Sequence, residues 1–223
     1  ENGRQGIKAL LQKLKQWRMN VVWYLIAILG ALVIDILAIL VFTITNGNLP
    51  DVGLVIEGMG LDREDVLLAI ALLPLFYIIN TLVGGPIAEE LGWRGYAQGR
   101  LQQKIHPNLA GVLIGFFWSL WHLPLFAVLP SGMGNMPLVA YIPYMTAMGV
   151  IYAWFYNRTN GSVLLAILLH GGMNFSHFLG ADLFKNPQLL WIQVILVLFV
   201  AGILSRFNKQ IDMNSSEFNK VDG

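Results

Sequence analysis

The sequence predicts an all-α membrane protein: a polytopic helical bundle of about six crossings, with a further motif-bearing helix that is re-entrant or interfacial. Three observations predict it. Of the 223 residues, 56% are hydrophobic and only 12% charged, a composition that suits a chain whose solvent is a bilayer. The apolar residues gather in six blocks, each close to the roughly 20 residues that cross about 30 Å of hydrocarbon at about 1.5 Å per residue. Lys and Arg, finally, crowd the block ends that six crossings would place on one side of the membrane.

Taken in order, residues 1–20 form a basic amphipathic segment, with Ile7, Leu10, Leu11 and Leu14 at helical spacing and lysines beside them; this pattern predicts a helix lying on the membrane surface. Apolar blocks follow near 21–43, 66–84, 109–128, 138–156, 162–180 and 188–205. The first is read as a retained span, because it is longer than a signal core and no small-x-small cleavage site ends it. Between the second and third blocks lies Pro86 to Lys104, opened by a proline suited to a first helical turn. It is helical in pattern but too polar to face lipid, with Glu89, Glu90, Arg94 and Arg100 within it. With a cytoplasmic N-terminus, Arg4, Lys8, Lys13, Lys15, Arg18, Arg94, Arg100, Lys104, Arg158, Arg206, Lys209 and Lys220 are inside, and only Arg63 and Lys185 are outside. Both termini are therefore predicted to be cytoplasmic. Residues 21–206 read as a single membrane-embedded domain and 207–223 as a polar, frayed tail. No internal repeat or low-complexity run interrupts them.

The net charge of +1 excludes a nucleic-acid binder, since neutralising phosphates needs a basic patch and the basic residues here mark span ends. The absence of cysteine excludes disulfides, thiolate metal sites and cysteine nucleophiles. Membrane lipids are the expected surroundings, and the sequence carries no signal for an oligomeric state.

Ionisable side chains at mid-bilayer cost about 2.5–3.5 kcal/mol each on the insertion scale and usually face a cavity, a partner or a pathway. The residues needing such a reason are Asp35, Glu89, Glu90, Arg94, His122, His170 and His177. Glu90 and Arg94 are four apart and share a helical face, so they can pair, while Glu89 projects about 100° away. His122 sits deep in the apolar run Phe116 to Pro124, and His170 and Asn174, again four apart, project from one face beside Gly171 and Gly172. Each group alone reads as an ion pair, a packed histidine or interhelical glue. Together, a buried acid, two imidazoles and an amide are the ingredients for activating water and stabilising an oxyanion. Asp35 lacks a matching acid in a second span and is expected to be a polar contact within the bundle, and His177 a spare hydrogen-bonding residue.

The three groups resemble, in order, the motifs of the CAAX prenyl protease and bacteriocin-processing (CPBP, or Abi) intramembrane proteases. These motifs are E-E-x-x-x-R, then F-x-x-x-H, then H-x-x-x-N. Here they read Glu89-Glu90-Leu91-Gly92-Trp93-Arg94, Trp118-Ser119-Leu120-Trp121-His122 and His170-Gly171-Gly172-Met173-Asn174. The resemblance covers roughly residues 80–180 and implies an endopeptidase acting on a membrane-associated peptide or protein. It also implies that Glu89 and His122 activate the attacking water, that His170 and Asn174 form the oxyanion hole, and that Glu90 and Arg94 support the site. Trp118 stands where the family usually has Phe, an exchange expected to fill similar space and to reshape the cleft at most. Metal stays open: no cofactor is certain, but Glu89, His122 and His170 could hold Zn²⁺ with a free water position, although H-E-x-x-H is missing. The prenyl-protein branch implies removal of a C-terminal tripeptide, whereas bacterial branches imply peptide maturation or bacteriocin immunity. A non-catalytic immunity or scaffold protein is the alternative from another class, and an ion-coupled transporter is a third, weakened by the lack of paired broken helices in related halves.

Overall fold

The computed structural model describes residues 3–128 and 136–208; within α1 the side chain of Ile7, part of the predicted amphipathic face, lies outside the description, as do residues 209–223 of the predicted tail. The described chain folds as α1 (Gly3–Leu14), α2 (Val21–Asn46), α3 (Gly53–Gly58) and α4 (Val66–Val83), followed by a composite motif helix. That helix comprises α5 (Pro86–Glu90), a π-helical stretch (Leu91–Gln98) and α6 (Gly99–Gln102). It is followed by α7 (Pro107–Trp121), α8 (Leu123–Val128), α9 (Leu138–Arg158), α10 (Val163–Gly180), a 3₁₀ turn (Leu183–Lys185) and α11 (Pro187–Ser205). Among the described residues six segments are long and apolar enough to cross a membrane: α2, α4, Pro107–Ala127, α9, α10 and α11. They coincide with the six predicted blocks to within a few residues, so the protein is a polytopic helical membrane bundle.

Burial sorts these spans into centre and rim. In α9 and α10, 67% of the hydrophobic window is buried, against 17% in α2 and 11% in α4. α9 and α10 thus form the core, while α2 and α4 expose Leu25, Leu29, Val33, Ile36, Ile70 and Ile79 outward, as lipid-facing helices do. Lipid tails are as apolar as leucine, so close van der Waals packing between small residues has to hold such helices together. α7 and α9 meet through Gly111, Gly115 and Gly149: a Cβ on Gly111 would stand 2.8 Å from the Gly149 carbonyl, and one on Gly149 would stand 2.6 Å from the Gly115 Cα. α10 uses Gly171 against Thr81 of α4 and Gly172 against the Ala27 carbonyl of α2. This glycine pair thus lets α10 pack closely on two neighbouring spans.

Polar contacts tie the ends. At the basic end, amide side chains bond in series: Gln98 to Gln102 (2.6 Å), Gln102 to Asn157 (2.8 Å), Asn157 to Asn208 (2.7 Å) and Asn208 to Asn108 (2.8 Å). They join the motif helix to the termini of α7, α9 and α11. In the other half of the bundle, Asp35 of α2 accepts hydrogen bonds from Ser176 of α10 and from Gln193 of α11, the latter at 2.6 Å, the interspan contact expected of it. His177 lies 2.8 Å from the Tyr144 hydroxyl, also as expected.

The segment α1 does more than lie on a surface. It packs on the π-helical stretch and on α10, with Leu10 against Gly95. The Lys13 ammonium donates to the Gly95 carbonyl and to the Tyr156 hydroxyl, both at 3.2 Å. Burial, with the neighbouring Arg100 charge second, holds Lys13 below the usual lysine pKa.

Candidate active site

The motif helix enters the bundle beside the middle of α10 and leaves it at the basic end. Its entry is the turn Gly84-Gly85-Pro86. Gly85 has φ of 101°, a conformation that side chains rarely tolerate, and a Cβ there would stand 2.7 Å from Oε1 of Glu89. This glycine therefore sets the turn and leaves room for one carboxylate oxygen. Beyond it, Glu90, Arg94, Gln98 and Gln102, each four residues from the next, are all buried. In an α-helix such a row drifts by about 40° per step; the wider π winding of Leu91–Gln98 counters the drift and keeps the stripe facing the core. π segments of this kind are frequent at functional sites.

The two adjacent acids have different surroundings. Glu90 is fully buried, and its Oε1 accepts from Arg94 Nη1 at 2.8 Å and from His170 Nδ1 at 2.9 Å. Arg94, equally buried, lies 4.1 Å from the ring centre of Tyr152 and 4.8 Å from that of Trp118, so two aromatic faces supplement the carboxylate in supporting its charge. Glu89 is only half-buried and borders a cavity of about 320 Å³ lined also by Ala88, Gly92, Trp93, Ala97 and Trp121. The pairing of Glu90 with Arg94 and the divergence of Glu89 are what the helical spacing predicted.

His122 sits where α7 ends. Pro124 lacks the N–H that would continue the helix, and the His122 main-chain N–H turns to the Leu120 carbonyl. The Trp118 carbonyl, four residues back, is thereby released from the ladder, and the His122 ring takes it up, with Nδ1 2.9 Å from that oxygen. A carbonyl only accepts, so Nδ1 carries the proton and Nε2 of the neutral ring carries the lone pair. By the same logic His170 donates from Nδ1 to Glu90, and its Nε2 bears a proton only when the ring is an imidazolium. Asn174, one turn further along α10, has its amide Nδ2 3.5 Å from the Gly84 carbonyl, at the entry turn of the motif helix.

Trp118 joins these groups. Its indole Nε1 donates to Glu89 Oε2 at 2.7 Å, its carbonyl holds His122, and its ring is 5.0 Å from the His170 ring centre. The structure thus brings Glu89, Glu90, Arg94, His122 and His170 into one network around a single tryptophan, with Asn174 at its edge. The expectation that Trp118 fills the space of Phe and reshapes the cleft at most left out this hydrogen bond: the available signal was that Trp, unlike Phe, carries a donor which seeks a partner when buried. For a metal the fit is poor. Among the described residues no three His, Cys, Asp or Glu side chains gather so as to hold one ion, and Glu89 Oε2 is already engaged by the indole.

Fold and site together define a polytopic helical membrane protein with an acid and imidazole centre enclosed by its spans. Comparison with known proteins finds similarity over the part of the chain that carries this centre. Residues 71–176 match the family described as type II CAAX prenyl endopeptidase Rce1-like. A CAAX prenyl protease 2 from Methanococcus maripaludis is 34% identical over 122 residues, which cover 52% of this chain and 45% of the relative, so the match spans less than half of that relative's length. The site-bearing segment is thus similar to that family over just under half of this chain.

Proposed function

We propose that this protein is an intramembrane endopeptidase that hydrolyses a peptide bond near a prenylated C-terminus, the substrate class in the names of the matched family and relative. The observation that carries the reading is the convergence of two polar half-sites, Glu89 and His122 each hydrogen-bonded to Trp118, and Glu90 bonded to Arg94 and His170, inside an apolar bundle beside an open cavity. Glu89 and the free Nε2 of His122 bind the attacking water, and Glu89 takes its proton as the oxygen attacks the scissile carbonyl. The developing oxyanion is met by the Nε2–H of His170, protonated with the support of the Glu90 carboxylate, and by the Asn174 amide. The proton held by Glu89 then passes to the leaving amine, so that water is added across the bond and the carboxylate is regenerated. Arg94 holds Glu90 in place through the 2.8 Å bond to its Oε1. This is a metal-free route; the poor fit of the side chains to one ion favours it over a Zn²⁺ mechanism.

The positive-inside distribution supports a cytoplasmic placement of the basic end, with α1 and the last turns of α9 and α11. The experiment that tests the activity is cleavage of an internally quenched, farnesylated CAAX peptide by protein reconstituted in vesicles. Wild type cleaves it and Glu89→Gln does not; equal cleavage by both overturns the assignment, and binding without cleavage by wild type supports the non-catalytic alternative.

A further inference from the structure

We infer that Trp118 is a positioning residue that holds both halves of the water-activating pair through one amino acid, a reading that rests on the roles proposed for Glu89 and His122. Three independent geometries converge on it. The indole N–H donates to Glu89 Oε2 at 2.7 Å. Glu89 Oε1 lies over Gly85, at a position where a Cβ would come within 2.7 Å of it, so Trp118 on one side and the glycine turn on the other fix the plane of the carboxylate. The Trp118 carbonyl, released by the end of α7, accepts from His122 Nδ1 at 2.9 Å and fixes the tautomer whose lone pair is on Nε2.

The tryptophan is itself immobilised. It is fully buried, packed at 5.4 Å against the Tyr152 ring and at 5.0 Å against His170, with the Arg94 guanidinium 4.8 Å from its ring centre. A carboxylate on a half-exposed helix turn would otherwise sample several rotamers, and catalysis by a base falls off steeply when its oxygen leaves the productive position. The indole selects between the two oxygens: Oε2 is engaged, and Oε1 is left to take the proton of the water. A phenylalanine would keep the packing and the main-chain carbonyl but would lose this selection. Trp118 thus acts through Glu89 without touching the substrate.

The test replaces the indole N–H without altering its shape, by installing 3-benzothienylalanine at position 118, in which sulfur stands for the N–H. Trp118→Phe serves as a second variant that the ordinary genetic code supplies. Both are assayed in vesicles on the quenched farnesylated peptide beside wild type and Glu89→Gln, with the thermal midpoint of each in detergent. The expected result is kcat lowered about 10- to 100-fold, the scale of one hydrogen bond to a charged group, with KM unchanged and the benzothienyl variant's midpoint at the wild-type value. A merely structural role would instead lower the midpoint or leave kcat intact. Wild-type kcat in the benzothienyl variant, with Glu89→Gln inactive, overturns the role of Trp118 alone. Full activity in Glu89→Gln overturns that role together with the reading of Glu89 on which it rests.

Discussion

Neighbouring acids with the same chemistry should fail in opposite ways when neutralised. Glu90→Gln removes the one carboxylate that serves two buried partners, Arg94 at 2.8 Å and His170 at 2.9 Å. The guanidinium, fully enclosed, is left without a counter-charge, and breaking a buried pair from one side costs about 3–5 kcal/mol. For a chain of this size that corresponds to a fall in the thermal midpoint of about 6–20 °C. The same change replaces the charged acceptor that orients His170 by a neutral one, a bond worth about 1.5–3 kcal/mol, so that kcat falls by up to about 10- to 150-fold. Glu89→Gln behaves differently. The glutamine oxygen still accepts from the Trp118 indole, and the half-exposed position leaves no buried charge stranded, so the midpoint stays at the wild-type value while cleavage is lost. Midpoints from intrinsic fluorescence in detergent and rates on the quenched farnesylated peptide read the two quantities separately. A Glu90→Gln protein with wild-type midpoint and rate would refute the assignment of Glu90 as the shared anchor of Arg94 and His170.

Three further outcomes are expected. Lys13 has its pKa depressed below 10.5 by burial, so between the lowered value and 10.5 the unfolded chain binds more protons than the folded one. Stability therefore rises with pH across that window, with the penalty fully present below the folded value; the midpoint of wild type relative to Lys13→Met should climb as alkalinity increases, and a flat difference would count against a buried ammonium. Gly149→Ala puts a methyl group 2.6 Å from the Gly115 Cα and 2.7 Å from its nitrogen, backbone atoms that cannot rotate away, so stability falls by about 1–3 kcal/mol, measured as a shift in the detergent midpoint. Removing metal with 1,10-phenanthroline, with the residual content checked by plasma emission, leaves cleavage unchanged; loss of activity restored by added Zn²⁺ would reverse the metal-free reading.

The spans were legible in the sequence because hydrocarbon thickness imposes a length and lipid excludes charge, so blocks such as 138–156 announce themselves without tertiary information. Their packing order was not. Hydropathy is blind to which apolar helix is central, and the Gly111, Gly115 and Gly149 contacts that bring α7 and α9 together are written in small residues spread over two spans. Likewise α1 reads as a surface helix from its moment alone. Only the carbonyl of Gly95 and the hydroxyl of Tyr156, 82 and 143 positions away, turn Lys13 inward.

Helical spacing resolved the site only as far as one helix reaches. The pairing of Glu90 with Arg94 follows from four-residue periodicity, as does the common face of His170 and Asn174 on α10. The link from Glu90 to His170 crosses 80 positions of chain, and nothing in either local pattern says which acid the histidine takes. The bond from Trp118 to Glu89 crosses 29 and depends on a single nitrogen that a comparison of aromatic sizes ignores. Burial of a donor is the physical signal in both cases: an N–H inside a bundle has little water to turn to, so a tryptophan or imidazole at a span centre favours an acceptor supplied by the protein, which for Trp118 and His170 comes from another segment. In this chain that preference pairs two donors with two adjacent carboxylates. The fully buried carboxylate is the one tied to two side-chain partners, an asymmetry that agrees with the proposed division of roles between it and the half-buried acid beside the cavity.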